Sequence, residues 1–490
     1  MRHSKGSGMN RKSVFYTLGL ILDIEAVLML APAFVSCLYR EWNSALMLLL
    51  SSAITAAAGS MLLFICRRRN RAIYAKEGFL IVSLGWLAMT LFGALPFVLT
   101  GELGFVDAVF EIASGFTTTG ATIIDALETM SHGTLFWRSA THWIGGMGVL
   151  VLMMAILPTD TEGSVHILRA EVPGPTFGKF VPKLRKTAKI LYLIYIGITV
   201  IEVVMLLCGG LNLYESLVYS FGTAGTGGFG LRGNSLTDYS PYVQWVIGVF
   251  MVLFGVNFNL YYLAILGKVK TALKSRELWL YLGIVVFSVT VVAVHVSAFY
   301  GNFGDTLRHS FFQVASIIST TGYSTADFDA WNVQAKGMLF MLYFVGGCAG
   351  STAGGIKIAR LILLGKTIRR DLRHMIHPHS VGVVKFEGRR VDDNTLRGVT
   401  SFFVLYTAVL AGTFMFLSLF EPSVDIISNI TASMATLNNV GPGFGMVGPY
   451  LSYSFYSPVS KIVLTLSMLL GRLEIYPLIL LLSPGVWRRK

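Results

Sequence analysis

Charge is what this chain of 490 residues has least of: Asp, Glu, Lys and Arg make up 13% of it, against 54% hydrophobic residues. A soluble chain covers its surface with roughly a quarter of its residues charged, so an ordinary soluble fold is excluded. Cysteine is scarce as well. Cys37, Cys66, Cys208 and Cys348 lie in or beside apolar stretches without metal-ligand spacing, and imply neither a disulfide framework nor a thiolate metal centre. Acidic residues number 26 against 39 Lys and Arg, for a net charge of +13. Nucleic-acid binding does not follow from that excess. The basic residues fall in short segments between apolar blocks, at 2–12, 67–76, 179–189, 268–276, 360–397 and 488–490, while the connections near 102–107 and 235–242 carry few. That alternation is the positive-inside pattern and places the basic segments in the cytoplasm. The apolar stretch after the basic first residues shows no small-residue cleavage site, so an uncleaved first helix is expected rather than a signal peptide.

What is present is a series of apolar runs able to cross a bilayer, whose core takes about 20 helical residues. Ten full spans are predicted, at 14–38, 45–66, 78–99, 135–157, 190–208, 242–266, 278–299, 335–364, 399–419 and 457–482. An even number leaves both termini on the cytoplasmic side, in agreement with the charges. Between certain spans stands a shorter, half-apolar stretch ending in Gly and Thr, at 106–122, 214–229, 307–324 and 426–444. Each is too short to cross twice and lies on the side poor in basic residues, which is the pattern of a re-entrant segment. Irregular backbone at membrane depth is tolerated only where protein or a water-filled cavity surrounds it. The predicted fold is therefore an all-α polytopic membrane protein with four span–re-entrant loop–span pseudo-repeats around a central pore, plus two extra N-terminal helices. The divisions are 1–70 for the extension, 71–160, 185–268 and 275–370 for repeats one to three, 371–395 for a basic cytoplasmic loop, and 396–490 for repeat four.

The four turns read GFTTTGAT (115–122), FGTAGTGG (221–228), ISTTGYST (318–325) and LNNVGPGF (437–444). Aligned on one glycine each, they give Thr118, Thr119 and Gly120; Thr223, Ala224 and Gly225; Thr320, Thr321 and Gly322; and Asn439, Val440 and Gly441. A monovalent cation that sheds water needs oxygen ligands in its place, and rings of backbone carbonyls supply them. Glycine lets consecutive carbonyls face one axis, because it adopts dihedrals that other residues avoid. These twelve residues are the candidate ion ligands. No carboxylate occupies the turns, which argues against a divalent-cation pore built on an acidic ring. Asp125, Glu128, Asp327 and Asp329 lie just beyond the turns and are expected in the outer mouth, as cation attractors or as solvated loop residues.

Two further features sit at membrane depth. The segment 346–357 breaks an apolar block with Gly346, Gly347, Gly350, Gly354 and Gly355, beside Ser351, Thr352 and Lys357. It lacks the spacing of a phosphate-binding loop, and is either an unwound segment beside a cavity or a kink for close packing. Arg472 lies eleven positions after Lys461, about 16 Å along a helix, and so near mid-membrane. It either faces a water-filled pore or pairs with a buried acid such as Glu202; Glu474, two positions away, is a poor direct partner. Lys357 would pair with lipid or tune the inner mouth. Asp23 and Glu25 of the first span lie outside the repeats, where packing or dimer contacts are expected. His142 stands in a span without a partner motif, and His374, His377 and His379 sit in the basic loop, so no enzyme constellation emerges. In that loop 381–386 and 389–391 flank Glu387-Gly388, the pattern of a small hairpin.

With the four turns, the stretches HWIGGMGVLVLMMAILP (142–158), GGCAGSTAGGIKIAR (346–360), HPHSVGVVKFEGRRV (377–391) and GRLEIYP (471–477) resemble the superfamily of K⁺ transporters that includes the TrkH, KtrB and HKT families. The two extra N-terminal helices favour the TrkH family, and the resemblance covers essentially the whole chain. It implies a bacterial cytoplasmic-membrane protein for potassium uptake through a K⁺-selective, channel-like pore, with K⁺ as the transported ion and no organic cofactor in this chain. The alternative is a proton- or sodium-coupled symporter. The resemblance also implies that 346–357 is a gate beneath the filter and that Arg472 is an electrostatic barrier in the pore. Its expected partners are a second copy of the chain, membrane lipids and a cytosolic nucleotide-binding regulatory subunit of the TrkA type. Gly120 supports K⁺, since some sodium-selective relatives carry serine there. The Ala-Gly-Thr-Gly-Gly of the second turn and Asn438-Asn439 of the fourth depart from strict four-fold symmetry.

Overall fold

A computed structural model of the chain describes residues 11–66, 75–148, 184–380 and 382–484. The basic segments at both termini, much of 179–189 and the end of the fourth predicted span lie outside the described residues. Six described helices are long and apolar enough to cross a membrane: Arg11–Leu38, Trp42–Ile65, Lys76–Thr100, Ala188–Cys208, Arg276–Tyr300 and Asp393–Phe420. The first two form the N-terminal extension, and the other four each open one repeat. A short helix follows each opening span: Phe105–Phe116, Leu213–Gly225, Phe303–Ile318 and Ile426–Asn438. The chain then returns to a second helix, starting His132–Gly146, Pro241–Phe254, Val333–Leu342 and Pro458–Arg472.

Local chemistry sets these starts. Asn212, Asn302 and Asp425 cap three of the short helices by accepting a backbone N–H from two or three residues on. Ser240, Asn332 and Ser457 do the same for three of the second helices, and proline follows at Pro241 and Pro458.

The second helices depart from the expected continuous spans. Each is interrupted. His132–Gly146 stops at Gly145-Gly146-Met147-Gly148, where the φ of Gly148 is 79°. Pro241–Phe254 turns by 91° into Phe258–Ile265. Val333–Leu342 gives way to irregular backbone over 343–357 before Ile358–Ile376 begins. Pro458–Arg472 stops before Glu474 and Ile475, both at positive φ. Positive-φ glycines permit the first and third breaks, at Gly148, Gly350 and Gly355, whereas Ile475, β-branched and at φ 70°, is held there at a cost in strain.

The extension packs on repeat one through small residues. Gly19 and Gly59 bring the two extension helices together, and a Cβ on Gly19 would touch the Gly59 carbonyl at 2.7 Å. Asp23 lies against Gly59 within this pair, while Glu25 lies against Gly93 and Phe116 of repeat one. The basic loop forms the expected hairpin, Lys385–Phe386 paired with Arg389–Arg390 across Glu387 and Gly388, both at positive φ; Val381 is outside the described residues.

Repeat one holds a buried ion pair. Arg138 Nε donates to Glu111 Oε1 at 2.6 Å, and the same carboxylate accepts Thr122 Oγ1 and the Ile123 N–H, both at 2.9 Å. Arg138 Nη1 reaches the Gly230 carbonyl of repeat two, and its guanidinium lies 3.4 Å from the Phe229 ring centroid. Glu111 therefore fixes the outgoing strand of loop one, and Arg138 ties it to loop two. Removing one partner strands a buried charge, so Glu111→Ala should destabilise the protein by about 3–5 kcal/mol. Thermal unfolding in detergent reads this, and Glu111→Gln should lose less because it keeps hydrogen-bonding atoms in place.

Candidate functional site

The four short helices end alike. The residue after the last turn is left-handed: Thr118 at φ 55°, Thr226 at 56°, Thr320 at 58° and Asn439 at 56°. Its N–H donates to the carbonyl three residues back, and the following N–H to the carbonyl five residues back. In loop one these bonds are Thr118 to Gly115 and Thr119 to Ser114; in loop two, Thr226 to Thr223 and Gly227 to Gly222. Loop three repeats them with Thr320 to Ile317 and Thr321 to Ser316, and loop four with Asn439 to Thr436 and Val440 to Ala435. This is a Schellman ending, which usually takes glycine at the left-handed position. Threonine or asparagine there stores about 1–3 kcal/mol of strain at each loop. Two residues on, glycine is again at positive φ: Gly120 at 81°, Gly228 at 78°, Gly322 at 88° and Gly441 at 94°.

These glycines close a ring. A Cβ added to Gly120 would run into the Gly227 carbonyl oxygen, one on Gly228 into that of Thr321, one on Gly322 into that of Val440, and one on Gly441 into that of Thr119. Each glycine abuts the residue that precedes the glycine of the next loop, in the order one, two, three, four, one. All four line a single cavity of about 290 Å³, walled further out by Thr122, Asp125, Arg232, Ser235, Tyr450 and Ser452.

The second loop corrects the sequence alignment. Thr-x-Gly occurs twice in Thr-Ala-Gly-Thr-Gly-Gly, and the ring uses the later copy. Thr223, Ala224 and Gly225 belong to the helix Leu213–Gly225, and Gly225 packs against the His142 backbone. Thr226, Gly227 and Gly228 take the places matched in the other loops by Thr118 to Gly120, Thr320 to Gly322 and Asn439 to Gly441. Counting from the helix caps would have found this, since sixteen residues separate Gly104 from Gly120, Asn212 from Gly228 and Asp425 from Gly441.

Neighbouring loops are stitched around the cavity. Glu128 accepts the Gly233 N–H at 2.9 Å, and the Ser324 carbonyl accepts the Leu236 N–H at 2.9 Å. Asp329 accepts the Gly445 N–H at 2.9 Å, and Asp125 accepts hydroxyls of Ser452 and Ser454. Three of the four expected mouth acids thus bridge adjacent repeats, while Asp327 accepts the Asp329 N–H within its own turn. Asp425, at the start of the fourth short helix, is held below the usual carboxylate range by the Ser428 hydroxyl. Closer to the ring, Asn439 Nδ2 donates to Thr119 Oγ1 at 2.9 Å and to the Met468 carbonyl at 3.0 Å.

Beneath the ring lies the irregular segment 343–357. Its Gly354 N–H donates to Thr320 Oγ1 at 2.6 Å, and a Cβ on Gly354 would touch the Asn438 carbonyl at 2.5 Å. Gly346 and Gly355 pack on each other, Gly347 and the Cys348 N–H meet the Gly255 carbonyl, and Gly350 abuts Asn257. Ser351 Oγ bonds back to the Cys348 carbonyl, and Thr352 Oγ1 reaches Phe254 of repeat two. Lys357, 1% exposed, donates to the Ala353 carbonyl inside the protein, which removes the lipid-pairing reading.

Arg472 gathers carbonyls from two breaks. Its Nη1 donates to Thr352 at 2.9 Å, and its Nη2 to Gly145 and Gly146 at 2.6 and 2.7 Å. Glu474 instead takes a bidentate pair with Arg360, at 2.9 and 2.5 Å, and Arg360 lies 4.0 Å from the Phe402 ring centroid. The sequence singled out Arg472 but missed the Arg360–Glu474 clasp, because its partners are far apart in the chain. A further route joins the hairpin to the irregular segment: Glu387 accepts Ser275 Oγ and the Arg276 N–H, and Glu277 accepts the Ala349 N–H at 2.7 Å. His374, His377 and His379 of the basic loop lie apart from this site, and no metal-ligating cluster occurs among the described residues.

Comparison with known proteins follows the same outline. The family model TrkH, described as a cation transport protein, matches residues 47–487. The Trk system potassium uptake protein TrkH of Escherichia coli K12 is 34% identical over 488 residues, covering 98% of this chain and all of that protein. The Halomonas elongata TrkH is 35% identical over 492 residues, and the E. coli TrkG is 32% identical over 482, each covering 97% or more of both chains. Among solved structures, the potassium transporter TrkH from Vibrio parahaemolyticus superposes with a TM-score of 0.88 at 32% identity, over 98% of this chain and 100% of that one.

Proposed function

From the chain's membership of the TrkH family of cation transport proteins, a transporter family and not an enzyme family, we propose that it takes up potassium across the bacterial cytoplasmic membrane through a K⁺-selective, channel-like pore. The observation that carries this reading is the ring of Gly120, Gly228, Gly322 and Gly441 under one cavity. Alternating backbone handedness at Thr118 and Gly120, and at their counterparts, turns successive carbonyls toward a common axis, where they replace the water of an entering cation. Each short helix directs its C-terminus at that axis and adds about half a negative elementary charge. No ring position carries a carboxylate, which favours a monovalent ion.

The segment 343–357 and Arg472 then act as the gate. The segment crosses under the ring and is latched to it through Thr320, while Arg472 sets a positive charge below the site and holds Thr352. A nucleotide-binding regulatory subunit docking on the basic hairpin face would reach this gate through Glu387, Glu277 and Ala349. Dimerisation, contact with anionic lipid and a cytoplasmic position for both termini complete the proposal. Proton coupling is the second reading, favoured by Glu202, a fully buried acid of repeat two with no basic partner among the described residues.

Flux of K⁺ and Na⁺ into liposomes holding the purified chain, with and without an imposed proton gradient, separates the two. The pore reading expects K⁺-selective flux that follows voltage and needs no proton gradient; flux that waits on a proton or sodium gradient would sink it. Gly228→Ser should lower the K⁺/Na⁺ preference by roughly tenfold or more, as expected for loss of one ring position. Arg472→Ala should raise K⁺ flux severalfold at equal protein content, and unchanged or lower flux would remove the barrier role.

A further inference from the structure

Position 227 is the odd member of the ring. The residue before the ring glycine is Thr119, Thr321 or Val440 in three loops, each with a branched side chain, and Gly227 in the second. Backbone conformation does not require glycine there, since Gly227 is absent from the positive-φ positions. Space does. A Cβ on Gly227 would fall onto the His142 ring, and its three nearest neighbours are the Cγ, Nδ1 and Cε1 atoms of that imidazole. The side chain missing from loop two is replaced by one that repeat one supplies from its second helix.

His142 is fully buried and tied to loop one. Its Nδ1 lies 2.7 Å from the Gly115 carbonyl. A carbonyl only accepts, so Nδ1 carries the proton and donates. The same Gly115 oxygen accepts the Thr118 N–H that closes the Schellman ending. On its other side the His142 ring meets Phe229 at 4.1 Å between centroids, and Phe229 follows the ring glycine of loop two. The helix backbone contributes as well: the His142 carbonyl is where a Cβ on Gly225 would collide. One imidazole thus touches loop one by a hydrogen bond and loop two by van der Waals contact, one residue from Gly228.

We propose that His142 is a positioning residue for ion selection, a wedge that fixes the distance between loops one and two of the ring. This rests on the reading of the ring as a K⁺ filter. The wedge acts through spacing. Carbonyl rings discriminate by ligand number and geometry, so a change in separation between two adjacent loops alters which ion they fit. Serine and threonine hydroxyls do the local bracing in loops one and three, where Thr117 bonds Thr119 and Ser319 bonds Thr321 at 2.7 Å. Loop two has no such pair, and His142 takes that place.

The test is reciprocal rescue in the full chain, reconstituted in liposomes, with the K⁺/Na⁺ permeability ratio as readout and size-exclusion profiles confirming folded protein. Gly227→Ala places a methyl against the imidazole and should lower the ratio strongly. His142→Ala removes the wedge and should lower it too, with K⁺ still conducted. Combined, the methyl enters the vacated space, and the double variant should recover a ratio above that of Gly227→Ala alone. His142→Gln, whose amide N–H reaches the Gly115 carbonyl, should stay nearer wild type than His142→Ala. A double variant no better than Gly227→Ala, or a His142→Ala variant with the wild-type ratio, overturns the wedge while leaving the filter reading intact. A wild-type chain without any K⁺ preference overturns both.

Discussion

Backbone polar groups at membrane depth have no bulk water to bond, and this constraint governs everything around the ring. Four helices stop inside the protein, each leaving carbonyls that its own turns cannot satisfy. The Schellman endings at Thr118, Thr226, Thr320 and Asn439 satisfy some of them locally. Beyond the helix ends, tyrosine side chains take up carbonyls of the loops themselves. The Tyr323 hydroxyl donates to the Phe229 carbonyl at 3.0 Å, that of Tyr343 to Pro442 at 2.5 Å, and that of Tyr453 to Gly441 at 2.8 Å. Each tyrosine spans two segments, so satisfying a carbonyl also locks the packing of the loops. A lost bond of this kind leaves a buried acceptor unpaired at about 1–3 kcal/mol. The strained left-handed threonines are affordable only inside this lattice.

The outline of the fold was legible because a bilayer imposes a length and a charge rule on the sequence. The N-terminal pair, the opening spans and the four short helices all follow from apolar runs and from the placement of Lys and Arg. The breaks in the second helices were not legible as a class. Tyr343, Phe344 and Val345 are as apolar as the helix before them, yet they are irregular backbone. Hydropathy does not distinguish an apolar residue on a helix from one on an unwound segment buried by its neighbours. Only the glycine-rich part of the third break announced itself.

At the site, the register read from the sequence coincides with the left-handed residue and the positive-φ glycine in three loops and is displaced by a helical turn in the second. Thr223-Ala224-Gly225 and Thr226-Gly227-Gly228 carry the same local pattern, and nothing within the turn chooses between them. What chooses is the length of the preceding helix and the imidazole of His142, which lies some eighty positions away in the chain. The Arg360–Glu474 clasp was hidden for the same reason. Its two halves sit on different repeats, and a lone buried arginine in sequence looks the same whether a carboxylate or a carbonyl receives it.

The repeats agree above the ring and disagree below it. Above, four loops present the same dihedrals, the same hydrogen bonds and the same cyclic contacts. Below, repeats two and four break over only a few residues, whereas repeat three breaks over 343–357. Arg472 then joins the long break of repeat three to the break of repeat one, and Arg360 joins the helix after it to repeat four. On the proposed reading, the shared geometry above decides which ion is accepted, and the excursion of repeat three below decides whether it passes. On that reading selection draws backbone from all four repeats while obstruction needs one segment, so the ring keeps its common backbone geometry, with side-chain differences such as Gly227, and the larger loss of symmetry falls beneath it.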